Sequence, residues 1–183
     1  MTAARGLARR AASVRGVTVV ELLVVLIIMG TVLTALTTLF VRGMNAELEA
    51  DKRYRAQDQA RLAVDRMRRE IHCASGITST ATSVTATLAG HCPSAVGAAT
   101  TTIVYSSQSV GANRFELRRA VNGGAAATIA DYLTTDNTFS YSAPSPTSLG
   151  KLSLDFQVNV KPDEGWKTWR LQTDIVLRNT VRA

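Results

Sequence analysis

The feature that most constrains this chain is an uncharged apolar run near its N-terminus. The run extends from Leu22 to Val41, twenty residues without a charged side chain. A helix of that length spans about 30 Å, the hydrocarbon thickness of a bilayer. One carboxylate, that of Glu21, stands directly before the run. A carboxylate in hydrocarbon costs free energy unless it has a partner, so Glu21 requires an explanation.

Charges on either side of the run predict its orientation in a membrane. Residues 1–16, before the run, carry four arginines and no acid: Arg5, Arg9, Arg10 and Arg15. Three acids follow it between residues 47 and 51, so the positive-inside rule predicts a cytoplasmic N-terminus and export of the chain from about residue 44. The net charge is +7, but without residues 1–16 the basic residues fall from 21 to 17 against 14 acids, which leaves +3. Most of the excess charge therefore indicates topology and not a nucleic-acid surface.

Three simpler interpretations of the run remain to be weighed. A cleaved secretory signal has an apolar region of about 7–15 residues, which is shorter than this run. A plain membrane anchor explains the length and the arginines, but not a glutamate placed five residues after Gly16. A buried core helix would not need the preceding basic cluster.

The residues around Gly16 resemble the class III signal of type IV prepilins and type II secretion pseudopilins. Gly16 is followed by Val17-Thr18-Val19-Val20-Glu21 and then by the apolar run. In that family a membrane-embedded aspartyl prepilin peptidase cleaves after the glycine and methylates the new amino terminus. The resemblance implies that Gly16 and Val17 form the processing site. It also implies that Glu21 pairs with the N-terminal amine of a neighbouring subunit.

Two further positions bear on this resemblance. Gly30 matches a glycine that is common at the fourteenth position of the mature chain. Thr38 stands where major pilins often have a helix-breaking proline, and Val17 stands where a phenylalanine is usual. The missing proline favours a minor pilin or a pseudopilin.

Elementary chemistry gives Glu21 a role consistent with this resemblance. Cleavage would convert the nitrogen of Val17 from an amide into an ammonium with a pKa near about 8. Val17 and Glu21 are four residues apart and share a helix face, near the positive end of the helix dipole. The alternative is that Glu21 extends to the cytoplasmic head groups from its position near the helix end.

The helix is predicted to continue beyond the membrane, since Met44 to Ile71 contains no proline or glycine. Helical spacing places one apolar stripe on this segment: Ala56, Ala60, Val64, Met67 and Ile71. The opposite face carries charges of both signs, with predicted ion pairs Asp51–Arg55 and Asp65–Arg69. Alternating signs favour a solvated face over DNA binding, so DNA is a less favoured partner.

Strand signals dominate the second half of the chain. Residues 73–100 read as a loop region with one candidate strand at Ser83–Leu88, and further strand signals occur at 102–105, 115–118 and 139–141. "NGG" at 122–124 predicts a turn. Alternation over 152–160 and 169–177 predicts an antiparallel hairpin around "KPDEGWK". The predicted fold class is α+β: a long N-terminal helix, hydrophobic in its first half, packed on an antiparallel sheet.

This order of elements resembles a subset of the same family. "DRMRREIHCASGI", "TIVYSS", "NRFELRRAV", "IADYL", "LSLDFQVNV" and "LQTDIVLRN" are similar to minor pilins of the PilW type and pseudopilins of the GspJ type. The similarity covers most of residues 64–179.

The two cysteines, Cys73 and Cys92, predict a disulfide, because an even count in an exported segment favours oxidation. It would close a loop of about 20 residues and contribute about 3 kcal/mol in the chain-entropy model. Each cysteine follows a histidine, His72 or His91, so zinc is the alternative. Adjacent side chains rarely both reach one ion, and the usual C-x2-4-C spacing is absent. We therefore predict no metal and no other cofactor.

Catalytic signatures are absent from the sequence. There is no G-x-S-x-G, no H-E-x-x-H and no phosphate-binding glycine loop, and His72 and His91 are the only histidines. We therefore expect no enzyme and no catalytic residue. Trp166 and Trp169 flank the last turn and form either a contact patch or, as we favour, part of the core or a brace for the hairpin.

These patterns predict three parts and a role in assembly. Residues 1–16 are a leader peptide, 17–43 a transmembrane and filament-core helix, and 44–183 an exported domain with a helix at 44–72, loops at 73–100 and a sheet at 101–183. The expected function is a minor pilin or pseudopilin that helps to initiate or cap a type IV pilus. The alternatives are a type II secretion pseudopilus component and a tip adhesin or DNA-uptake receptor. The expected partners are prepilin peptidase, the cytoplasmic membrane, and other pilins through the N-terminal helix; the expected location is the inner membrane and then a surface filament or pseudopilus.

Overall fold

The computed structural model describes residues 17–92, 94–97 and 100–178. Contacts divide the chain into two compact units that meet between Ala46 and Glu47. A single helix, α1, extends from Val19 to Cys73 and contributes to both units. The predicted leader, with Gly16, lies outside the described residues, and the predicted division at residue 44 stays a prediction.

The predicted apolar stripe is the face of α1 that is buried in the second unit. Ala56, Ala60, Val64, Met67 and Ile71 are all buried, as predicted. Ala63 extends the same face, because it lies three residues after Ala60 and four before Met67.

The second unit contains eight strands in one antiparallel sheet. They are β1 (Ala74–Ser79), β2 (Ser83–Leu88), β3 (Thr101–Gly111), β4 (Arg114–Val121), β5 (Ala127–Leu133), β6 (Phe139–Ser142), β7 (Lys151–Val158) and β8 (Trp169–Val176). The order of neighbours is β1-β2-β3-β4-β5-β7-β6, and β8 pairs with β7. The chain is therefore α+β, as the sequence predicts.

The predicted C-terminal hairpin is present. β7 and β8 pair antiparallel along their whole length, from Lys151 opposite Val176 to Val158 opposite Trp169. Every second residue of β7, from Leu152 to Val158, is buried, which is the period of a strand with one face on a core. A 3-10 turn at Gly165–Lys167 lies in the connection.

The sheet curls, so strands that are distant in the order approach each other. The N–H groups of Thr138 and Phe139 donate to the carbonyl of Ala81 at 3.0 and 3.1 Å, which joins the β1–β2 turn to the start of β6. Phe139 and Phe156 meet edge to face in the core, with ring centroids 6.5 Å apart. The concave side of the curl therefore encloses the apolar core.

The predicted loop region at 73–100 is partly wrong, because the sheet begins at Ala74 and not near residue 101. β2 matches the predicted strand at Ser83–Leu88, but β1 was not predicted. The sequence of β1, "ASGITS", has no alternation of large apolar residues, and only Ala74 in it is buried. Its pairing with β2 holds it in the sheet. The "NGG" turn is confirmed: Asn122 and Gly123 have φ of 49° and 72° between β4 and β5.

Candidate assembly site

The N-terminal part of α1 presents apolar side chains on every face. From Val17 to Met44 the large apolar residues are between 48% and 82% exposed. No residue of the apolar window is buried, and this is the one described helix that is long and apolar enough to cross a membrane. An all-round apolar helix requires an apolar environment, which within a soluble fold would be a core. The described chain offers this segment no such core.

The threonine hydroxyl groups inside this segment donate hydrogen bonds to backbone carbonyl groups of the same helix. Thr31 donates to the carbonyl of Ile28, and Thr34 donates to that of Gly30, each at 2.8 Å. Thr37 and Thr38 make the same type of bond to the carbonyl groups four residues earlier. An unpaired hydroxyl is costly in hydrocarbon, so these bonds make the threonines compatible with a bilayer or with a helical filament core.

Glu21 is exposed in the first turn of α1. Its backbone N–H donates to the hydroxyl of Thr18 at 3.2 Å, which makes Thr18 the N-cap residue. Thr18 is not among the predicted site residues, although its spacing from Glu21 is that of a capping box, which marks the start of a helix in a sequence. Only the threonine half of that box is formed, so the cap leaves the Glu21 carboxylate free for another partner.

Gly30 has no packing partner within the described chain. A Cβ atom built at Gly30 would meet nothing within 4 Å. Glycine inside a helix lowers stability by about 0.5–1 kcal/mol relative to alanine, so the chain gains nothing from it locally. In membranes, small residues allow helices to approach one another closely.

The predicted disulfide is present in the second unit. Cys73, at the end of α1, is bonded to Cys92, with Cα atoms 5.9 Å apart. Ligand atoms of Cys73, His91 and Cys92 lie within 4.8 Å of one another, which is the arrangement that made zinc an alternative. A disulfide supplies no thiolate ligand, so this group is not a metal site in the oxidised chain. The other histidine, His72, is not part of the group.

An ion cluster holds α1 against the β7–β8 connection. The carboxylate of Glu49 accepts from Lys167 at 2.9 Å and contacts Lys161 and Arg53. Glu164, in the same connection, contacts both lysines. Hydrogen bonds from Lys161 and then Lys167 lower the pKa of Glu49 from 4.5 to about 2. No sequence pattern indicates this cluster, because the helix and the connection that form it are more than 100 residues apart.

The two tryptophans of this region have different environments. Trp169 is partly buried against the core, and the Arg61 guanidinium lies 5.4 Å from its ring, so Trp169 braces the hairpin as favoured. Trp166 is 82% exposed, so the expectation of a core or bracing position is wrong for it. It lies on the 3-10 turn, and the Lys167 ammonium is 4.7 Å from the centroid of its ring.

No family model, no curated protein and no solved structure matches this chain significantly. The class of this protein is therefore defined by its fold and its apolar helix alone. It is an α+β protein with one N-terminal helix that is apolar enough to cross a membrane and a disulfide-linked sheet unit.

Proposed function

We propose that this chain is a minor pilin or pseudopilin: a membrane-held precursor that is cleaved after Gly16 and assembles through its N-terminal helix. The observation that carries the proposal is the combination of Gly16, Glu21 and an uncharged run of twenty residues in that order. An ordinary anchor needs only the run. The glycine and the glutamate at that spacing are explained by cleavage and by pairing with a new amine.

The exposure of the apolar helix supports an assembly role. A helix that is apolar on every face can be surrounded by lipid before assembly and by other helices afterwards. The self-bonded threonines fit either environment, and Gly30 gives a neighbouring helix room to approach. The same features suit a type II secretion pseudopilus, which is the closest alternative.

Glu21 gives the assembly its specificity in this proposal. In the uncleaved chain the nitrogen of Val17 is an uncharged amide, so no partner charge exists at that level. Cleavage creates an ammonium, and a carboxylate of a neighbouring subunit neutralises it in a medium of low dielectric constant. Only processed chains would therefore pair, which couples assembly to cleavage.

N-terminal sequencing of the chain purified from membranes tests the cleavage step. We expect the mature protein to begin at Val17. Gly16→Leu should leave the full-length precursor in the membrane, because a side chain at the scissile position blocks the peptidase. The matched control is Gly30→Leu, which changes a glycine of the apolar helix without touching the cleavage site and should be processed normally. A mature chain that begins beyond Glu21 would contradict the proposal.

A further inference from the structure

A groove lies between α1 and β5 within the second unit. Two adjoining cavities of about 380 and 360 Å³ form it, and both are lined by Thr128 and Ile129 of β5. The exposed residues of its α1 wall are Lys52, Arg55, Gln59, Leu62, Arg66 and Arg69. These positions recur at intervals of three and four residues, so they form one continuous stripe along the helix. We call this feature the basic groove.

The positive charge of the basic groove is largely unneutralised. Among the described residues, Lys52, Arg66 and Arg69 have no carboxylate within 4 Å, and Arg55 pairs with Asp51 at 3.0 Å, as predicted. The predicted Asp65–Arg69 pair is wrong, because Asp65 instead lies 3.6 Å from Arg68.

The one acid in the lining of the groove is already occupied. Asp131 accepts two hydrogen bonds from the Arg114 guanidinium, including one of 3.1 Å from Nε to Oδ1. The groove therefore offers three cations, Lys52, Arg66 and Arg69, without an internal partner among the described residues.

The same helix carries a stripe of the opposite charge on its outermost side. The stripe consists of Glu47, Asp51, Asp58 and Asp65, all exposed. The three aspartates are seven residues apart, which keeps them on one face. At about 100° per residue, that face points away from the buried Ala60 and Met67. Glu47 and Asp58 have no cation within 4 Å among the described residues. We call this feature the acidic ridge.

We propose that the acidic ridge of one copy of this chain packs into the basic groove of a second copy. The ridge is convex and negative, and the groove is concave and positive, so shape and charge are complementary. Leu62, which is 61% exposed in the groove wall, would also lose its contact with water. The inference rests on the proposed function in one respect, that copies of this chain meet in one assembly.

The contact is not symmetric between the two copies. Ridge and groove are different surfaces, so the contact is heterologous: one copy contributes its ridge and the other its groove. Nucleic acid is the other class of partner that a basic groove attracts, but the acidic ridge beside the groove would repel a phosphate backbone.

Charge reversal in two differently tagged full-length copies tests the contact. The groove variant is Arg66→Glu with Arg69→Glu, and the ridge variant is Glu47→Lys with Asp58→Lys. In mild detergent at low ionic strength, we expect wild-type copies to co-purify. Two groove-variant copies, or two ridge-variant copies, should co-purify at least tenfold less, because like charges then meet. A groove-variant copy mixed with a ridge-variant copy should recover the wild-type yield, since the groove of one and the ridge of the other again join opposite charges.

The control for the groove variant is Arg170→Glu with Arg178→Glu, which makes the same change in net charge at exposed positions outside the groove and the ridge and should co-purify as wild type. A cooperative thermal unfolding transition in each variant, followed by circular dichroism, reports that the unit is folded. Wild-type yields for both homotypic pairs, or no recovery in the mixed pair, would overturn the proposal. Loss of duplex-oligonucleotide retention in the groove variant, with co-purification unchanged, would overturn it in favour of nucleic acid. Leader cleavage in the same samples tests the proposed function separately, because none of these substitutions touches Gly16 or Glu21.

Discussion

At the residue scale, one carboxylate organises the interior of the sheet unit. Glu70 of α1 is 2% exposed, which is rare for a glutamate, and it lies against Arg119 of β4 and Tyr105 of β3. The Arg119 guanidinium donates to both oxygens of Glu70, from Nη2 at 2.8 Å and from Nε at 3.2 Å. Burial, together with the hydrogen bond to Glu70, raises the pKa of the Tyr105 phenol, which keeps it a donor. The triad joins the helix to two neighbouring strands.

Removing one member of this triad should destabilise the fold more than removing two. Glu70→Leu leaves the Arg119 charge without its partner, so we expect the free energy of unfolding to fall by about 3–5 kcal/mol. Glu70→Leu combined with Arg119→Leu should cost less than Glu70→Leu alone, because no unpaired charge remains. Chemical denaturation of the full chain in detergent measures both values.

The control for the triad is Arg170→Leu, which removes an exposed partner of Asp155 and should cost only about 0–1 kcal/mol. Equal losses for Glu70→Leu and the double variant would contradict the account of Glu70 as one half of a buried ion pair.

At the scale of elements, the ion cluster around Glu49 predicts a dependence of stability on pH. The pKa of Glu49 is lowered in the folded chain, so its contribution is complete above about pH 4.5 and is lost as the pH falls toward about 2. The difference in Tm between wild type and Glu49→Gln should therefore be largest near neutral pH and should shrink across that interval. Circular dichroism of the full chain in detergent measures it. The control is Glu47→Gln, because Glu47 is two residues away and has no cation within 4 Å among the described residues. This variant should have the Tm of the wild type at every pH. A Tm difference between wild type and Glu49→Gln that does not change with pH would contradict the proposed role of the Glu49 ion pairs.

Elements with a clear period were predicted well, and those that depend on a distant partner were not. The buried stripe of α1 and the β7–β8 hairpin follow from periods of 3.6 and 2 residues in the sequence. β1 has no such period, because its place in the sheet comes from β2. Glu70 lies among the charged residues of "RMRREIHC", where nothing in the sequence distinguishes a buried acid from an exposed one. The basic groove also depends on β5, and the sequence of the helix does not indicate which strand will pack beside it.

At the scale of the whole molecule, the apolar half of α1 is the part that has no apolar packing partner within the described residues. Its large side chains are exposed on every face, and Gly30 meets no neighbour among the described residues. The sheet unit, by contrast, has its own core, disulfide and buried ion pair. We infer that the sheet unit carries its own stability, while the helix supplies the surface for lipid and then for other subunits.

The incorporation of Glu21→Val into filaments tests whether Glu21 pairs with the amine of a processed neighbour. The substitution removes the charge before the apolar run, so membrane insertion should be equal or better, and cleavage after Gly16 should persist. Assembly should fail, because the ammonium of Val17 loses its carboxylate partner in a low-dielectric core at a cost on the order of 3–5 kcal/mol. We expect a processed protein in the membrane that is depleted from sheared filaments by about 100-fold or more. Glu21→Gln, which keeps the shape of the side chain without its charge, should behave in the same way. Wild-type levels of Glu21→Val in filaments would contradict the pairing and would show that Glu21 only reaches the lipid head groups.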